Sequence, residues 1–191
     1  MDVRLARTQD WVAFRDLRLR ALEDAPDAFG GTFDAAEDEP EPYWRGWITG
    51  EGWDAVVRSW VAEDRGRFRG MIVGVRFEAE PAVANLFGMW VEPPLRGSGI
   101  ATRLVGMLEM WARGQSVDRI VLRVSDGNPR AEAFYAKLGF TRTGREPLPL
   151  RDGSPLRVHE MVRALPAATP PDVPSSATPQ NVPSAERVGE P

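Results

Sequence analysis

Between Ala55 and Ala112 the apolar residues change their period once, at the segment Gly97-Ser98-Gly99. Three runs come first, Ala55–Ala62, Phe68–Phe77 and Val83–Val91, with turn-forming residues around Asp64–Gly66 and Glu80-Pro81. Short turns between such runs predict an antiparallel meander. After Gly99 the spacing becomes helical, with Ile100, Leu104, Leu108 and Trp111 on one face and Ala101, Val105 and Ala112 beside them. A chain with this switch folds as a sheet with helices laid on it.

The flanking segments extend that plan. Val3 and Leu5 alternate with polar neighbours as a short first strand, and Trp11, Phe14, Leu17, Ala21 and Leu22 recur at helical spacing from the N-cap candidate Asp10 to the stop at Pro26. Asp24–Glu41 reads as a loop, and Tyr43–Ile48 as a second, shorter helix. A strand at Ile120–Val124, a helix at Pro129–Leu138 and strands around Thr141–Arg145 and Leu156–Val162 follow. The fold class is α/β or α+β, in one domain over residues 1–164. Residues 165–191 hold seven prolines and almost no large apolar side chains, so they are expected to form a disordered tail.

Composition narrows the chemistry. The chain has no Cys and a single His, His159, which excludes thiolate nucleophiles and Cys-containing zinc sites, and no metal is expected. Backbone, carboxylates, Tyr, Ser or a bound cofactor must carry any reaction. No apolar stretch reaches the roughly 20 residues of a membrane span, and the N-terminus lacks a secretory h-region, so no membrane partner and a cytoplasmic location are expected. The net charge of −4 and the lack of a base-stacking motif argue against nucleic acid. That charge is unevenly spread: residues 1–95 carry 18 acids and 11 bases, residues 96–163 carry 7 acids and 12 bases. Such asymmetry suits two differently charged ligands.

Two motifs are specific. In the first, Leu86–Val91 runs through Glu92-Pro93-Pro94-Leu95 into Arg96-Gly97-Ser98-Gly99-Ile100-Ala101. Glycines at the mouth of a helix let the backbone approach a ligand, and the first-turn N–H groups point outward with the positive end of the helix dipole. That is a pyrophosphate cradle. It lacks the lysine of a nucleotide P-loop, and Thr102 stands where a dinucleotide fingerprint needs its third glycine. In the second, Asn128 is an N-cap, Pro129 a first helical residue and Gly139 a C-terminal stop. Ala131, Phe134 and Leu138 share the expected core face of this helix, with Tyr135 at its edge.

Together, R-x-x-G-x-A opening one helix and L-x-V-x-x-x-N-x-x-A-x-x-F-Y-x-x-x-G-F some thirty residues later resemble the GNAT superfamily of acyl-CoA-dependent N-acetyltransferases. The likeness covers Val83–Arg145 closely, and Leu17–Leu22 with Pro26-x-Ala28-Phe29-Gly30 looks like a bacterial branch of it. The resemblance implies a mixed, mostly antiparallel, twisted sheet of about seven strands with about four helices on its faces. It implies acetyl-CoA as co-substrate, held at its pyrophosphate by Arg96, Gly97, Ser98, Gly99, Ile100 and Ala101. It assigns backbone contacts with the pantetheine arm to Met89, Trp90 and Val91, a further cofactor contact to Asn128, and protonation of the departing thiolate to Tyr135. A thiol near pKa 8.5 and a phenol near 10 are close enough for that transfer.

The resemblance also implies an acceptor amine that must lose a proton. Many relatives carry a Glu on the fourth strand, whereas Ala84–Val91 contains no acid. Glu92, Glu78, Glu80, His159 and Glu160 are the nearby titratable residues, and the sequence assigns the base to none of them; a water chain is the alternative. The loop between the first two helices, expected to help enclose the acceptor, holds eight carboxylates from Glu23 to Glu41 and no base. It suits a cationic amine such as a polyamine, an aminoglycoside-like compound or a basic peptide N-terminus. Trp44, Trp47 and Trp53 are candidates for the pocket mouth. A non-catalytic acyl-CoA-binding module is the competing function, and the sequence leaves a homodimer open.

Overall fold

A computed structural model describes residues 1–150 and 154–166. Its sheet has eight strands, β1 (Asp2–Leu5), β2 (Ala55–Asp64), β3 (Arg67–Phe77), β4 (Val83–Val91), β5 (Arg119–Ser125), β6 (Thr141–Arg142), β7 (Leu148–Pro149) and β8 (Arg157–Ala164). They lie in the order β1-β2-β3-β4-β5-β8-β6, with β7 also on β8. Every pairing is antiparallel except β4 with β5. The expected last hairpin is interrupted: at Gly144 the backbone turns to φ 73, and pairing resumes only at Leu148.

Five α-helices join the strands: α1 (Trp11–Asp24), the single turn α2 (Phe33–Ala36), α3 (Glu41–Thr49), α4 (Ile100–Gly114) and α5 (Pro129–Lys137). Asp10 precedes α1 but does not cap it; its carboxylate accepts from the Arg7 amide and from Arg4 instead. The two faces of the sheet bury separate clusters. On one, Leu104, Leu108 and Ala112 of α4 meet Trp60, Ile72 and Ala84, together with Tyr135 of α5. On the other, Phe14, Leu17 and Ala21 of α1 and Trp44 and Ile48 of α3 meet Val57, Val61, Met71 and Val73. The alternation of β2 and β3 sends neighbouring residues to opposite clusters.

Helix α4 comes close because β3 presents glycines to it. A Cβ on Gly74 would stand 2.8 Å from the Trp111 ring, and one on Gly70 3.5 Å from Leu104 Cδ1. Leu104 is fully buried, and its truncation leaves a cavity that the sheet backbone cannot fill. Leu104→Ala is expected to cost about 3 kcal/mol of stability, read from urea denaturation. Just after β8, Leu165 is buried and its amide donates to Asp118 O, so ordered packing extends one residue past the boundary expected from the sequence. The remainder of the expected tail, residues 167–191, lies outside the described residues.

Candidate active site

The site is built first from backbone. After β4, residues Pro93–Leu95 form a 3-10 turn, and Gly97 and Gly99 adopt φ 90 and φ 86, a region where side chains are strained. A Cβ on either would meet nothing within 4 Å. The amides of Gly97, Gly99, Ile100, Ala101 and Thr102 make no backbone hydrogen bond to the described residues. These donors and the positive end of α4 therefore face open space. A cavity of about 580 Å³ occupies it, lined by Arg96, Gly97, Gly99, Ala101 and Thr102, by Met89, Trp90 and Val91, and by Asn128, Arg130 and Tyr135.

Ser98 and Ile100 do not line this cavity with the others. The Ser98 hydroxyl donates to Leu95 O at 2.6 Å, and the Ile100 side chain is in the core. Only their backbone remains for a ligand. Arg96 is held as well: Nε donates to Val91 O at 2.9 Å, and Nη2 bonds Asp24, whose carboxylate also accepts from Trp90 Nε1 at 2.9 Å. Its guanidinium thus ties the end of β4 to the end of α1. Asn128 caps α5 through Oδ1, 3.0 Å from the Ala131 amide, which leaves its side-chain NH₂ as a donor.

The second element is a gap in the sheet. Strand β4 pairs β5 only over Val83–Leu86. On its other side Phe87 pairs Val73 and Trp90 pairs Met71, so Gly88 and Met89 together oppose the single residue Ile72. This is a β-bulge, and Gly88 supplies it with φ 62. Beyond the bulge β4 no longer pairs with β5. A cavity of about 390 Å³ fills the gap, between Gly88 and Met89 on one side and Arg123, Val124 and Ser125 on the other. The loop residues Phe29 and Gly30, the α3 aromatics Tyr43, Trp44 and Trp47, and Leu148–Leu150 complete its wall. Trp53 packs on Trp47, with ring centroids 5.3 Å apart, and does not line the wall with it.

The two cavities adjoin at Phe29, Met89, Asn128, Ala131 and Tyr135. Tyr135 is more deeply placed than its spacing suggests: it is 6% exposed and is the buried residue of α5, while Phe134 is half-buried. The reason is the αL turn at Gly139, which folds Phe140 back so that its ring meets Tyr135 edge-on at 5.7 Å. Burial raises the Tyr135 phenol above its ordinary pKa, so it stays neutral and a proton donor.

Arg18 is the residue that sequence reasoning missed. On an amphipathic helix an arginine between leucines reads as a surface residue, yet Arg18 is 8% exposed and lines the smaller cavity. Its guanidinium carbon lies 4.3 Å from the Phe29 ring centroid and 5.1 Å from that of Trp47. Among the described residues Nη1 has no hydrogen-bond partner and Arg18 no ion pair. Desolvation pushes its pKa down to about 10, still well above neutrality. A Cβ built on Gly88 would be 3.7 Å from Nη1, which locates this cation beside the bulge.

The carboxylates stand elsewhere. None of the eight from Glu23 to Glu41 lines the smaller cavity; Asp24 and Asp27 line the larger one. Glu92 is bound by Arg20, Arg67 and Arg69 at 2.7, 3.0 and 2.8 Å. His159 is buried beneath α5, with Nδ1 2.8 Å from Asp126, and Glu160 pairs with Arg145. Among the described residues that line the smaller cavity there is no carboxylate and no imidazole.

The family model for the acetyltransferase (GNAT) family matches residues 11–140, and the chain belongs to that family. N-acetyltransferase 8B of Mus musculus is 33% identical over 89 residues, 45% of this chain and 38% of the relative. Mycothiol acetyltransferase of Thermobispora bispora is 30% identical over 145 residues, 70% of this chain and 44% of the relative. The chain thus spans less than half the length of these curated relatives. Among solved structures, yncA of Salmonella typhimurium, determined with its cofactor acetyl-CoA, superposes with a TM-score of 0.72 at 20% identity, covering 91% of this chain and 98% of that one. The ribosomal-protein-alanine N-acetyltransferase of Brucella melitensis gives 0.70 at 22%, covering 86% and 100%. The described residues contain no cluster suited to a metal ion and no helix long and apolar enough to cross a membrane.

Proposed function

We propose that the protein is an N-acetyltransferase that moves an acetyl group from acetyl-CoA to a primary amine of a small molecule or peptide, by direct attack in a ternary complex. The observation that carries this reading is the meeting of the two cavities at Tyr135 and Met89. The larger, floored by unpartnered amides, suits the pyrophosphate and pantetheine arm; the smaller, in the strand gap, suits the amine. Acetyl-CoA supplies an acyl thioester. As the amine nitrogen bonds to the acyl carbon, the C–S bond breaks, the nitrogen gives up one proton to water and the sulfur takes one.

Each residue has a physical task. The amides of Gly97, Gly99, Ile100, Ala101 and Thr102 receive the pyrophosphate, and Arg96 braces their loop against Asp24. Backbone groups of Met89 and Trp90 receive the pantetheine amides, as the Val91 carbonyl is engaged by Arg96. An N–H of this segment also meets the charge that develops on the thioester oxygen, a role worth about 3–4 kcal/mol in comparable sites. Tyr135 supplies the proton to sulfur. The burial that weakens it as an acid also raises the pKa of a thiol in the same dry site, so the two remain matched.

Release of free CoA thiol over a panel of amines and peptides, with acetyl-, propionyl- and succinyl-CoA as donors and products identified by mass spectrometry, tests the reading. Turnover of at least one amine that depends on both substrates is expected. Micromolar binding of acetyl-CoA without turnover on any amine would instead establish a non-catalytic acyl-CoA-binding module.

A further inference from the structure

We infer that the acceptor is an amino carboxylate and that Arg18 receives its carboxylate. The inference rests on the acetyl-transfer reading and names the substrate class for the same site. A guanidinium removed from water is costly unless its donors are met. The Phe29 and Trp47 rings address its charge, but ring faces leave the in-plane N–H donors of Nη1 unmet, and no atom of the described residues accepts from them. A planar anion matches such an edge better than a neutral acceptor does.

Position fixes the rest of the ligand. Arg18 lines the cavity beside Gly88, where β4 departs from β5, so an anion docked on its guanidinium sits close to the gap through which the amine must reach the acyl carbon. A carboxylate on the carbon that bears the amine, or one carbon further, satisfies both demands. Arg123 lines the same cavity and adds positive potential, while no described lining residue is acidic. The aromatic wall of Phe29, Tyr43, Trp47 and Phe87 favours an apolar side chain on the acceptor. The eight carboxylates of the Glu23–Glu41 loop lie outside this cavity, and the loop reaches it only through uncharged residues such as Phe29 and Gly30.

The test compares leucine with leucinamide and phenylalanine with phenylalaninamide, using acetyl-CoA and thiol release, each kcat/KM divided by the neutral-amine fraction. The acids are expected to exceed the amides by roughly 10- to 100-fold, mostly in KM, the range of one charge-assisted contact. In Arg18→Gln that ratio collapses to within about threefold, and Arg18→Lys restores part of it. A ratio near one in the wild type, or an unchanged ratio in Arg18→Gln, overturns the inference. Binding of N-acetyl-leucine against N-acetyl-leucinamide to the CoA-loaded wild type, followed by tryptophan fluorescence, decides the matter even where Arg18→Gln does not fold. Tighter binding of the acid by about tenfold supports the inference, and equal binding overturns it. Absence of all turnover defeats acetyl transfer itself, whereas turnover without carboxylate preference defeats only the assignment to Arg18.

Discussion

Gly99→Glu is expected to weaken acetyl-CoA binding by at least about 100-fold in titration calorimetry, equivalent to roughly 2.7 kcal/mol. Two effects act together. Gly99 sits at φ 86 as the N-cap of α4, where any L-residue carries about 1–2 kcal/mol of strain. The new carboxylate would also stand in the open space before the unpartnered amides, at the positive end of the helix, and compete with the pyrophosphate it repels. Gly99→Ala separates the two, since it has the strain without the charge. It is expected to lose about tenfold or less in affinity, with a thermal midpoint lowered at least as much as in the Glu variant, whose carboxylate recovers some stability at the positive end of the helix. Affinity within threefold of wild type in Gly99→Glu would remove the loop from the cofactor site.

The glycines of that loop were legible because their consequence is local. The end of a strand, a 3-10 turn and the start of a helix follow one another between Val91 and Ile100, and φ above zero at the helix mouth is a property of Gly97 and Gly99 themselves. The same holds for Asn128 and Gly139, which begin and end α5 where the sequence puts them. The features that escaped depend on distant partners. A glycine inside a strand suggests a bulge, but that Gly88 splits β4 from β5 follows only once β3 and β5 are both in register. Glu92 reads as a free acid at a strand end until Arg20 and Arg69 arrive from α1 and β3. Arg18 reads as solvated because Phe29 and Trp47, which cover it, come from a loop and a second helix. The rotational phase of α5 escaped for a similar reason. Two aromatics stand side by side, and the return of Phe140 decides which one is inward.

Tyr135→Phe is the substitution expected to affect turnover most selectively. Phenylalanine fills the same volume and keeps the edge-on contacts with Phe134 and Phe140, at 5.2 and 5.7 Å in the native protein, so acetyl-CoA affinity should stay within threefold. What is lost is the hydroxyl at the junction of the two cavities. A positioned general acid contributes about 10²–10⁴-fold, and kcat should fall within that range while KM for either substrate changes little. A variant that binds acetyl-CoA normally and turns over as fast as wild type would exclude Tyr135 as the proton donor. Alkaline pH gives an independent readout through stability. The folded-state pKa of Tyr135 is raised, so the fold favours the neutral phenol. That contribution is whole below the ordinary phenol value near 10 and is lost as pH rises past it toward the raised folded value. Urea denaturation of wild type should therefore show a loss of stability above pH 10 that is smaller in Tyr135→Phe. If the two proteins lose stability equally, the hydroxyl is not in the dry environment that its proposed chemistry requires.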